Sequence, residues 1–215
     1  MTTLATMKAR IETEIRRDDL TSEIADAISS AIAAYGTRPQ YFSEDRSNTF
    51  NTVASQSAYT SSDTGCSFFS RLLKINYAYV LIGGQPSRLG PVPMTVVEDA
   101  NIGSDLSPAQ PQHYAWYGRT FHLTPVPNAV YSIRIGALLA VAEPASDGET
   151  GNVWMGELER LIRSRAKAEL YAHVIKDQDK AQTFFDLAAE AWKQTEEKSE
   201  ALMMIGSGRV VPFDI

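Results

Sequence analysis

Cys66, the histidines His113, His122 and His173, and 26 Asp and Glu side chains hold whatever chemistry this 215-residue sequence could perform. Nucleophilic catalysis needs a thiol or hydroxyl beside a base that a third group orients. Cys66 runs into Ser67, Phe68 and Phe69 with no nucleophile motif, so the sequence predicts an ordinary thiol. Being the single cysteine, it also excludes an intrachain disulfide and a Cys-rich zinc site. His113 and His122 would be neighbours across a hairpin around Tyr117 and Gly118, but two imidazoles without a carboxylate or thiolate make a poor metal set. Glu157 with Glu159, or Glu196 with Glu197, could be imagined as the two carboxylates of a glycosidase. Both pairs fall on predicted helix surfaces, where solvated charge is the default. Gly83, Gly84 and Gly90 lack the Lys-Ser or Lys-Thr pair and the helix that would follow in a phosphate cradle, so they read as turn residues. No catalytic, metal-binding or cofactor-binding residue is assigned, and no cofactor is expected.

The elements that would position any such groups follow from periodicity. Leu4, Met7, Ile11 and Ile15, then Leu20, Ile24, Ile28, Ile32 and Tyr35, recur at helical spacing. Asp19 or Thr21 is the expected cap of the second helix and Gly36 its stop. That second helix has too little basic surface to read bases as part of a helix-turn-helix. From Thr37 to Pro144 short alternating runs take over. Leu73, Ile75, Tyr77, Tyr79 and Leu81 predict one strand face. His113 to Trp116 and Arg119 to Leu123 predict a hairpin, and Tyr131, Ile133 and Ile135 a third strand that would complete a meander. Thr95 and Glu98 are spaced as a capping box for a short helix ending before Gly103. The polar stretch Ser47 to Gly65 reads as a mobile hairpin or long loop whose order depends on a partner. Beyond Asn152, a possible cap, Trp154, Leu158, Leu161, Ile162, Leu170 and Val174 mark a helix. A break at Lys176 to Lys180 precedes a last helix carrying Ala181, Phe184, Phe185, Ala188, Ala191 and Trp192.

The expected fold is therefore α+β: a bundle of N- and C-terminal helices, about 3–35 and 152–203, around a central antiparallel β insertion at about 37–144. One domain would span 1–204, and 205–215 would be an extended tail. Val210, Val211, Phe213 and Ile215 make that tail more apolar than a solvated end has reason to be. No apolar run approaches the ~20 residues of a membrane span, and Met1 to Arg10 lack the features of a secretion signal, so no membrane association is expected. A formal charge of −6 argues against general affinity for nucleic-acid backbone. Tyr114, Trp116, Tyr117, Phe121 and Tyr131 form an aromatic band that suits a core or, in surplus, a subunit or tail interface.

The order of these features resembles the head-to-tail adaptors of tailed bacteriophages, the connectors also known as tail accessory or tail tubular adaptors. The likeness is carried by the opening helix pair ending in Ala31 to Tyr35, by Arg88-Leu89 with Pro91-Val92, and by Tyr114-Ala115-Trp116-Tyr117-Gly118. It continues through Phe121 to Pro127, Tyr131 to Ile135, and Trp154 leading into Leu161, Ile162, Ala166 and Leu170. The Ser47 to Gly65 stretch departs from it. The resemblance implies a structural virion protein of the neck, assembled in the host cytoplasm. It would form a dodecameric homo-oligomeric ring beneath the portal protein, extend the DNA channel without sequence-specific DNA binding, and offer a platform to a tail or nozzle protein. It further implies that Arg209, Val210, Val211, Pro212, Phe213 and Ile215 dock on the portal. The competing readings are another neck ring component, a stopper or tail-completion protein, and a phage cell-wall lytic enzyme.

Overall fold

The computed structural model describes residues 2–101 and 107–206. The chain divides into two compact units, Met1–Phe42 with Val141–Ile215, and Ser43–Ala140. The first is helical and the second is built on a sheet, so the fold is mixed α+β.

In the helical unit, α1 (Leu4–Ile15) begins at Thr3, whose side chain accepts from Thr6 N while Thr6 Oγ1 accepts from Thr3 N, a reciprocal cap. Arg16 ends it in the left-handed region at φ 57°. α2 (Thr21–Gly36) follows, but neither expected residue caps it: Leu20 occupies that position, with no side-chain bond. Both candidates are committed elsewhere. The Asp19 carboxylate takes the two-pronged Arg17 guanidinium at 2.6 and 2.7 Å, and Thr21 Oγ1 donates to Glu12. Asn152 likewise caps a turn, accepting from Trp154 N at 3.1 Å, and α4 starts only at Glu159. α4 (Glu159–Glu169) packs against α1, α2 and α5. Ala166 and Ala168 on α4 are fully buried, which lets neighbouring helices approach closely. A π-helical turn, Leu170–Ile175, continues α4 to Lys176 at φ 63°, and α5 (Gln178–Gly206) follows. Met7, Ile11, Ile24, Ile28, Ile162 and Trp154 form the centre of this core.

In the sheet unit the strands are β1 (Glu44–Asn51), β2 (Ala58–Tyr59), β3 (Leu72–Ile82), β4 (Gln85–Pro91), β5 (His113–Tyr117), β6 (Thr120–Thr124) and β7 (Ser132–Leu139), with α3 (Met94–Asn101) between β4 and β5. Their order is β1-β7-β3-β4-β5-β6-β2, antiparallel except for the short β4–β5 pair. Gly83 and Gly84, at φ 55° and 84°, turn β3 into β4. The β5–β6 hairpin turns on Gly118 and Arg119, both at positive φ, one residue later than expected.

Three expectations are corrected here. β7 does not complete a meander with β6 but lies between β1 and β3. Pro125 and Pro127, without amide hydrogens, take the chain out of the ladder after β6, and the nearly continuous burial of β7 suits a central strand. In β3 the fully buried face is Ala78 and Val80, while Tyr77, Tyr79 and Leu81 lie on the other side. A register shift between Ile75 and Tyr77 exchanges the faces partway along, which a strict two-residue period cannot register. The Ser47 to Gly65 stretch is folded against the rest of its unit, with β1 and β2 in the sheet, instead of forming a loose loop. Phe50 and Tyr59 are buried, and the Asp63 carboxylate accepts from Thr60 N and Gln56 Nε2. Buried Thr52 donates to Ala129 O and accepts from Tyr131 N. Side-chain-to-backbone bonds organise this segment instead of apolar alternation.

Candidate functional site

The sulfur of Cys66 is fully buried, and burial, with Asp63 nearby, pushes its thiol up to about 12. The thiolate that would attack a substrate is therefore suppressed. A soluble aromatic disulfide reagent at pH 8 is expected to label the folded protein at least tenfold more slowly than the urea-unfolded chain. Equal rates would place the sulfur at an accessible site.

His113 and His122 share one face of the hairpin as diagonal neighbours and are not directly paired: His113 pairs with Thr124, and His122 lies between Ala115 and Ala58. Burial holds the His122 imidazole below its usual range, while His173 in the helical unit lies 3.2 Å from Glu169. Among the described residues no group of three or more His, Cys, Asp or Glu side chains could hold a metal. No described helix is long and apolar enough to cross a membrane.

Of the carboxylates weighed as glycosidase pairs, Glu157 and Glu159 are each held by cations, and Glu197 lies 4.0 Å from Lys193 on an exposed stretch of α5. Glu159 meets Arg10, Arg163 and Thr2. Glu157 accepts from Lys198 at 2.7 Å and from the Tyr41 hydroxyl, and the Lys198 ammonium sits 5.0 Å above the Tyr41 ring. Those two hydrogen bonds, Lys198 first, hold Glu157 below the usual carboxylate range, the opposite of what a general acid requires. The trio borders a cleft of about 300 Å³ that Arg160 and Gln194 also line. No local pattern could have revealed it, because Tyr41 and Glu157 are 116 positions apart.

The aromatic band separates by exposure. Tyr114 and Phe121 are interior, with their rings stacked 5.1 Å apart. Trp116 is half-buried against Phe69, Tyr131 is half-buried and donates to Asn128, and Tyr117 at the hairpin turn is 68% exposed. Arg209, Val210, Val211, Pro212, Phe213 and Ile215 lie outside the described residues. Just before them, α5 exposes Leu202 and Met203.

Charge is divided unevenly between the units. Residues 43–140 carry six Lys or Arg against six Asp or Glu, so the whole formal charge of −6 lies in the helical unit, with 14 against 20. Among the described residues every ion pair except Arg46–Glu44 joins two residues of the helical unit. Lys74, Arg88 and Arg134 of the sheet unit have no carboxylate partner among them.

A family model described as SU10 adaptor protein matches residues 2–210. No curated protein matches the chain.

Proposed function

Because the chain belongs to the SU10 adaptor protein family, an adaptor family of tailed phages, we propose that it forms a homo-oligomeric ring, dodecameric by the resemblance, beneath the portal. The ring extends the DNA channel and gives the tail or nozzle protein its attachment platform. Its work is structural, in the virion neck, and it has no catalytic role. The observation that carries this reading is the family match over nearly the whole chain.

Three features support the finer assignments. Leu202 and Met203 stand exposed at the end of α5, and the sequence beyond them continues with Val210, Val211, Phe213 and Ile215. An apolar helix end running into an apolar tail suits docking on another protein, here the portal. Tyr117, with the accessible edges of Trp116 and Tyr131, is the part of the aromatic band free to meet a neighbouring subunit or the tail. An acidic helical unit also suits a channel through which DNA slides without being held.

Truncation after Gly206 tests the portal assignment. The shortened protein is expected to lose co-sedimentation with the portal while keeping its helical circular dichroism. Undiminished portal binding by the truncated chain would contradict the docking tail. Lack of portal binding by the full chain would favour a stopper or tail-completion component.

A further inference from the structure

The face of the sheet turned away from Ala78 and Val80 has no function assigned so far. Register places Tyr77 opposite Gly136, Tyr79 between Arg134 and Arg88, and Leu81 opposite Ser132, so these residues share that face. The Tyr77 and Tyr79 rings are 5.2 Å apart, and the Arg134 guanidinium lies 5.6 Å over Tyr79. Gly136 leaves the room Tyr77 needs: a Cβ there would come within 2.1 Å of its ring. Tyr77, Tyr79 and Leu81 are only half-buried, and exposed Val53 and Val130 flank the end of the β1–β7 pair. With Lys74, Arg88 and Arg134 in no ion pair among the described residues, this is a basic, aromatic surface in a chain whose net charge is negative.

We propose that this face docks on the acidic helical unit of a second copy of the chain, making the head-to-tail contact of the ring. The inference rests on the ring reading above. Charge complementarity selects the occupant. A second sheet face would bring Arg against Arg, which disfavours a two-fold pairing, whereas basic sheet face against acidic helical unit is heterologous and repeats from copy to copy. The helical unit offers a groove of about 260 Å³, rimmed by Glu23, Asp26, His173 and Glu169 and floored by Ala27, Leu170 and Val174; Glu169 is held by Arg165 and His173, so Glu23 and Asp26 supply its open negative charge. Among the described residues Asp26 makes no ion pair, and Val174 is 40% exposed. The half-buried Tyr77, Tyr79 and Leu81 favour a protein partner over DNA, for which three cations are a small complement.

The test uses full-length chains in sedimentation velocity, alone and with the portal, after circular dichroism shows wild-type melting. R88E/R134E reverses the sheet face and E23K/D26K reverses the groove. Each variant alone is expected to assemble at least tenfold more weakly than wild type. Mixed one to one they are expected to recover, because every contact in an alternating ring is again between opposite charges. The second variant reports on the same contact should the first fail to fold. Assembly of both variants as tight as wild type would overturn the proposed contact and leave the ring reading standing. Loss of duplex DNA binding in R88E/R134E with assembly unchanged would overturn it in favour of a DNA surface. Absence of any multi-copy assembly by wild type, with or without portal, would overturn both.

Discussion

Replacing Phe121 by alanine is expected to destabilise the protein by about 3–5 kcal/mol, among the largest effects a single core truncation produces. Phe121 is fully buried, with ring centroids of Tyr114, Phe69 and Phe50 at 5.1, 5.8 and 5.9 Å. Those three rings come from β5, a 3-10 turn and β1, so the cavity left behind cannot close by moving one element. Tyr117→Ser, on the same hairpin but 68% exposed, should change stability by less than ~0.5 kcal/mol. Urea denaturation of both variants measures the contrast. A stable Phe121→Ala protein that no longer assembles would make Phe121 an interface residue instead of a core residue.

Glu14→Ala should cost about 2 kcal/mol, because it strands a cation. Lys167 Nζ lies 2.5 Å from Glu14 Oε2, and its side chain is only 10% exposed. Arg163 takes the other Glu14 oxygen at 3.0 Å, so the carboxylate ties α1 to two sites on α4. Removing one member of a fully buried pair costs roughly 3–5 kcal/mol. Glu14 itself is 35% exposed, so water screens part of that loss and the lower figure follows. After the substitution the Phe184 ring, 4.1 Å from Nζ, remains as an electrostatic partner for the ammonium. Glu14→Ala combined with Lys167→Met should regain most of the stability, since no charge is then left in the interior. A loss below ~0.5 kcal/mol for the single variant would mark the pair as an ordinary surface contact.

The helices were legible wherever one apolar stripe meets one core: Met7, Ile11 and Ile15, and Ile24, Ile28 and Ile32, are all buried as their spacing requires. The β5–β6 hairpin was legible because its turn has local chemistry, with Gly118 supplying a positive φ. What escaped reading depends on groups distant in sequence or on irregular backbone. The inversion in β3 comes from a register shift that leaves no mark in composition. The Ser47 to Gly65 segment is organised by Asp63 and Thr52, whose partners are backbone atoms and a neighbouring amide that hydrophobic periodicity does not weigh. The caps failed because side-chain bonds compete: Asp19 has the right chemistry but Arg17 already holds it. Of the aromatic band, residue type alone could not separate interior Tyr114 and Phe121 from exposed Tyr117, since all three share the same short hairpin.

The mass of the purified protein by light scattering, alone and then mixed with its portal, tests the ring adaptor most directly. A complex of ring size on the portal, absent when Arg209 to Ile215 are removed, is the expected result. A chain that stays monomeric and indifferent to the portal would contradict it.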